Sequence, residues 1–223
     1  MKILALDTST DACSVALSLD GAVTERFELG QRHGDRLLAM VQELLTESGT
    51  ALTQLDAIAF SRGPGSFTSL RIGAGVVQGL AFGADLPVVL VSSLAALAQG
   101  VDAPKVLAAF DARMQQVYWG AYLRGDDGRL TLTGVEMVTD PAQVPLPVGQ
   151  GWIGAGGGWD QYAIALQPRL ASCIVEWRPR CYPHAQHVAL LGAAAFQRGE
   201  AVPPDQAIPV YLRDDVAVKQ KGG

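Results

Sequence analysis

The sequence predicts an α/β protein built as two related lobes. Residues 3–6 form a short apolar run ending at Asp7, and residues 106–110 form a second one ending at Asp111. Each run is followed by a strand-like segment and then an Asp-Gly pair, Asp20-Gly21 in the first half and Asp127-Gly128 in the second. Asp-Gly supplies the positive φ values of a tight hairpin. Each half therefore opens as a three-strand meander with an aspartate at the tip of its first strand. The repeat is much longer than a solenoid period.

Taken in order, residues 13–19 alternate, with Cys13, Val15, Leu17 and Leu19 on one face and Ser14, Ala16 and Ser18 on the other. Residues 22–29 follow as the third strand. Leu37, Leu38, Val41, Leu44, Leu45 and Ser48 recur at helical spacing, with Gly49 where a C-terminal cap belongs. Residues 57–60 read as a buried strand, 68–84 as a glycine-spaced helix, 87–91 as a strand and 92–100 as a short helix. The second half is predicted as strands at 106–110, 117–123 and 130–138. A proline-rich linker at 140–151, a glycine turn at 154–158 and an alanine-rich helix at 184–198 complete it. The lobes are expected at 1–100 and 101–223, with the C-terminal tail able to return to the first.

The 223 residues suffice for a sizeable core. The longest apolar stretch, residues 72–82, is interrupted by Gln78 and falls short of a membrane span of roughly 20 residues. The opening MKILALDTS is not a secretory signal, and three cysteines (Cys13, Cys173, Cys181) at unpatterned spacing fit reduced thiols. A cytoplasmic location without membrane contact is the expectation. A net charge of −5 gives no basic field for nucleic acid, and the one basic concentration is at 219–221. Any contact with nucleic acid is therefore expected to be indirect.

The segment SRGPGSFTSLRIG at 61–73 poses the main functional question. Gly63, Gly65, Ser66 and Thr68 read as a capped turn, or as a weak anion contact at a helix start. A nucleotide-binding P-loop would need a lysine that the segment lacks. Asp7, Thr8 and Ser9 could be a vestigial phosphate turn, whereas Asp111-Ala112-Arg113-Met114-Gln115 has neither glycine nor hydroxyl. The alternative for both aspartates is turn chemistry with nearby backbone N–H groups. His184, His187 and Cys181 could be drawn together, yet two histidines do not complete a zinc site. Ser66 and Cys13 have no identifiable base for nucleophilic chemistry. No catalytic residue, metal or cofactor is expected.

Gly75 and Gly79 share one face of the glycine-spaced helix, and each interior glycine costs about 1 kcal/mol relative to alanine. Two compensations are open: close packing on the protein's own sheet, or close approach of a helix from another subunit.

The stretches ILALDTSTDACSVAL, SRGPGSFTSLRIG, QGLAFGADLPVVLVSSL, FDARMQQVYWGAY and PVYLRDDVA together resemble the TsaB family, formerly YeaZ, over essentially the whole chain. Ser69 stands where that family's central motif has glycine. The resemblance implies the ASKHA fold of actin, Hsp70 and sugar kinases, in two ribonuclease-H-like lobes. It implies a role in forming N6-threonylcarbamoyladenosine beside the anticodon of tRNA, as the non-catalytic partner of the paralogue TsaD, in a complex with the ATPase TsaE. It also implies a helical bundle with TsaD, or with a second copy when TsaD is absent. Ile72, Gly75, Val76 and Gly79, with Met40 and Leu44 from the first helix, are the interface residues expected. The catalytic paralogue's metal-binding histidines have no counterpart in Ser92-Ser93-Leu94-Ala95-Ala96. The alternatives are an ATP-dependent phosphotransferase or ATPase of the same architecture and, far behind, a peptidase.

Overall fold

The computed structural model describes residues 1–30 and 33–213; the basic residues at 219–221 lie outside them. The first sheet holds β1 (Lys2–Asp7), β2 (Ala12–Leu19), β3 (Ala22–Leu29), β4 (Ala57–Gly63) and β5 (Val88–Ser92), in the order β3-β2-β1-β4-β5. The β1–β2 and β2–β3 pairs are antiparallel, whereas β4 and β5 run parallel to β1. The second sheet repeats the plan. It contains β6 (Lys105–Asp111), β7 (Val117–Arg124), β8 (Leu130–Leu132), β9 (Met137–Thr139), β10 (Trp152–Ala155) and β11 (Ile174–Arg178). Its order, β11-β10-β6-β7-β8, is again an antiparallel meander followed by two parallel strands. Two sheets of this ribonuclease-H-like topology in one α/β chain are the ASKHA arrangement.

The expected single strand at 130–138 is two short strands, β8 and β9, both paired to β7. Gly134 at φ 87° breaks the run, and Glu136 turns inward to accept hydrogen bonds from Ser92 Oγ and Tyr122 OH. At Asp20 and Gly21, φ values of 51° and 94° form the predicted hairpin.

Among the described residues, five helices cover the sheets: α1 (His33–Ser48), α2 (Phe67–Ala84), α3 (Ser93–Gln99), α4 (Gly157–Leu170) and α5 (Ala185–Gln197). One face of the first sheet buries Leu4, Leu6, Val15 and Leu17 against α1 and α2, through Leu37, Met40, Val41, Leu44, Val77 and Ala81. The opposite face, Ile3, Ala5, Ala16, Ala59 and Val91, is small and packs against Ala185, Val188 and Ala189 of α5. This second layer explains why β2, read as one-sided, is buried on both faces over most of its length. Ser14, on that second face, accepts the Ala185 N–H at 3.0 Å and donates to Glu25 at 2.8 Å.

The last helix of each half crosses over. α3 follows the first sheet yet buries Leu94, Leu97 and Ala98 against Val106, Ala108 and Tyr122 of the second. α5 follows the second sheet and packs on the first. Trp119, Trp152 and Trp159 fill the remaining face of the second sheet beneath α4. No helix among the described residues is long and apolar enough to cross a membrane.

Candidate functional site

Asp7 ends β1 and is 1% exposed. Its carboxylate accepts the Ser9 N–H at 3.0 Å and the Ser9 hydroxyl at 3.0 Å. Burial lifts its pKa to about 6, against the lowering pull of the Ser9 N–H and hydroxyl. The turn formed by Asp7, Thr8 and Ser9 is filled from the other side by the segment after β4. A Cβ on Gly65 would lie 2.2 Å from the Ser9 carbonyl oxygen, and Ser66 N–H donates to that oxygen at 2.8 Å. A Cβ on Gly73 would lie 2.4 Å from Thr8 Oγ1, whose hydroxyl donates to the Ser69 carbonyl at 2.8 Å. The two predicted phosphate turns thus pack into each other. Gly63, at φ 110°, is held by the Ser93 hydroxyl through its N–H and lies close to the Val210 carbonyl. The Ser66 hydroxyl accepts from Ser69 Oγ at 3.0 Å rather than capping α2.

Ser9, Gly65, Ser66 and Thr68 nevertheless border a cleft of about 860 Å³ between the lobes. The far wall carries the Asp111 hairpin. There Asp111 accepts the Arg113 N–H at 2.8 Å and the Tyr162 hydroxyl at 3.0 Å. Arg113, Met114 and Gln115 all have left-handed φ values, 61°, 52° and 60°, in a loop without glycine. Each aspartate thus accepts a backbone N–H of its own turn.

His184 Nδ1 lies 2.9 Å from Glu25 Oε2, and its ring stacks on Phe27 at 4.3 Å. Burial pushes the His187 imidazole below its usual value. Among the described residues, no three His, Cys, Asp or Glu side chains are placed to share a cation, so Cys181, His184 and His187 do not form the cluster drawn from sequence.

The helix pair α1 and α2 gives a sharper result. Met40 and Leu44, expected at a partner interface, are each 1% exposed and belong to the first lobe's own core. Their helical register points them at the sheet. Val76 is half-buried against the same core and Ile72 is likewise half-buried. Gly75 and Gly79 are exposed, and a Cβ on either would meet nothing within 4 Å. Gly83 continues this open line at the same spacing of four. Exposed apolar side chains that the sequence reading did not assign to an interface are Phe82, beside Gly83 in the chain, at 62%, and Leu38, on α1, at 52%. Gly83 and Phe82 could have been found by extending the Gly75–Gly79 period one more turn. Leu38 recurs at helical spacing with Leu37, Val41 and Leu44, and such periodicity does not separate the edge of an apolar stripe from its centre.

The profile of the TsaD family, tRNA N6-adenosine threonylcarbamoyltransferase, matches residues 27–221. The tRNA threonylcarbamoyladenosine biosynthesis protein TsaB of Escherichia coli (strain K12) is 43% identical over 231 residues, covering 100% of this chain and 99% of that protein. The TsaB protein of Haemophilus influenzae is 39% identical over 236 residues, covering 100% and 98%. The solved structure of YeaZ from Pseudomonas aeruginosa has a TM-score of 0.87 at 47% identity, covering 95% of this chain and 99% of that one.

Proposed function

The chain belongs to the TsaB family of tRNA threonylcarbamoyladenosine biosynthesis proteins, and on that premise we propose that it is the non-catalytic partner of a TsaD enzyme. The observation that carries this reading is the open glycine line on α2. Interior glycines weaken a helix, by about 1 kcal/mol each relative to alanine. Gly73 is accounted for inside the chain by Thr8, but Gly75, Gly79 and Gly83 are not. Missing side chains on an outer helix face allow a second helix backbone to approach closely, and the exposed Phe82 of α2 and Leu38 of α1 supply apolar surface to bury.

TsaD is the occupant of this face in the complex, and a second copy of the chain takes the same face when TsaD is absent. TsaE joins the larger assembly. The chain's net charge of −5 leaves contact with tRNA to its partners. Asp7 and Asp111, each engaged by its own turn, take no part in chemistry, and no catalytic residue or cofactor is assigned.

The test is reconstitution. Purified chain and TsaD from the same organism, mixed at micromolar concentration and sized by light scattering, are expected to form a heterodimer. Threonylcarbamoylation of tRNA by TsaD and TsaE is expected to require the chain. Modification at full rate without it would contradict the proposal.

A further inference from the structure

Besides α5, which packs on the first sheet, and the bonds of Ser92 to Glu136 and of Glu25 to His184 and Gln186, two further and unlike sets of contacts join the lobes. Behind the cleft, α3 buries Leu94, Leu97 and Ala98 in the second lobe's core. Gln99 beside them donates to the Gly128 carbonyl at 3.0 Å and accepts the Leu130 N–H at 2.8 Å. This rear joint is apolar and closed to water, so it cannot slide apart without exposing its core. Across the mouth of the cleft runs a single extended segment, residues 207–213. Its root is fixed to the first lobe: Ala207 is buried, Gln78 Nε2 donates to the Ala207 carbonyl at 3.2 Å, and Val210 N–H donates to the Arg62 carbonyl at 2.8 Å. Tyr211 packs on the Phe67 ring at 5.2 Å, and its hydroxyl accepts from Arg71 Nε at 3.1 Å. Arg71 also lies 3.8 Å above the Phe67 ring.

Two residues later the segment has reached the other lobe. The Arg213 guanidinium donates to the Ala112 carbonyl at 3.1 Å and to Gln116 Oε1, both in the hairpin after β6. That hairpin is pre-shaped for it. Its three left-handed residues and the Ala112 N–H bond to the Gln116 carbonyl, 2.9 Å, hold the two acceptors side by side. Tyr211 and Arg213 both line the cleft.

We infer that residues 207–213 form a strap that sets how far the cleft opens, with Arg213 as its latch. The rear joint is the hinge and the strap is the element that yields. Among the described residues the Arg213 guanidinium is the strap's tie to the hairpin after β6, so its substitution should free the strap while both cores stay intact.

Spin labels at Gln42→Cys on α1 and Gln167→Cys on α4, both exposed positions, report the separation of the lobes. They are introduced with Cys181→Ser, and the labelled chain is diluted into unlabelled chain so that only distances within one molecule are read. The parent is expected to give one narrow distance, and Arg213→Ala a broader distribution shifted to longer distances. Arg213→Gln, which keeps a donor, should fall between them. Amides of residues 112–116 should exchange with solvent about tenfold faster in Arg213→Ala, while those of β1 and β4 are unchanged. Tyr211→Ala loosens the other end of the strap and should broaden the distances in the same direction. Superimposable distance distributions in the parent, Arg213→Ala and Tyr211→Ala would overturn the inference, as would unchanged exchange at 112–116.

Discussion

α2 and α5 are both rich in alanine, glycine and aliphatic residues, yet they handle their glycines in opposite ways. On α5, a Cβ at Gly192 would lie 2.6 Å from the Ala59 Cβ, so the missing side chain is where the helix meets the first sheet. On α2, Gly73 is of the same kind, but Gly75, Gly79 and Gly83 face open space. The difference teaches how to read a helical glycine. One whose absent Cβ is already filled by a neighbour is explained by the chain's own packing. One with nothing beside it weakens the helix without return inside the chain, which is what the proposed contact with a second helix would offset.

The largest effect expected from this contrast is on association. Gly79→Leu places a bulky side chain on the open face, and should weaken binding to TsaD by about 100-fold or more while leaving the melting temperature unreduced. Titration calorimetry and thermal denaturation of the same preparation check both halves. Next in size is Gly192→Ala, where the added methyl has no room and should destabilise the chain by about 2–3 kcal/mol in denaturant titration.

A third effect concerns the polar end of the layer under α5. Asp7 has a folded pKa of about 6 against an unfolded value near 3.8, so between these pH values the folded chain binds more protons than the unfolded one. Its contribution to stability therefore falls as pH rises through this window. Asp7→Asn removes the titration, and its stability relative to the parent should improve by about 1 kcal/mol between pH 5 and pH 7.5. A constant difference would mean that the carboxyl is not held up by burial. The smallest effect is Gly79→Ala, which should stabilise the isolated chain by up to about 1 kcal/mol through helix propensity alone. The same substitution thus has opposite signs on the two helices.

Much of the fold was legible because its signals are local. Asp20-Gly21, the alternation after Asp7 and the recurrence of the pattern at Asp111 depend on neighbours within a few residues, and they identified the duplicated lobes. Three features depended on partners distant in sequence. The burial of both faces of β2 needed α5, more than 160 residues away in the chain. The division of the strand at 130–138 needed Ser92 and Tyr122 to draw Glu136 inward. The mutual filling of the Ser9 and Gly65 turns could not be seen in either segment alone.

The proposed docking face was read from the sequence as a helix pair, and the structure leaves only some of the residues named for it exposed. Spacing placed Gly75 and Gly79 together correctly. It could not tell that Met40 and Leu44 point inward, since an apolar residue at helical spacing fits a core and an interface equally well. Leu38, at the margin of the same stripe, shows the converse, being apolar, periodic and exposed.

Hydrogen exchange on the chain with and without saturating TsaD tests the proposed α2 contact most directly. Slowed exchange is expected along residues 72–83 of α2 and in the neighbouring turns of α1, with residues 110–118 and 157–161 of the cleft unchanged. Protection confined to the cleft or the second lobe, with α2 exchanging as in the free chain, would contradict it.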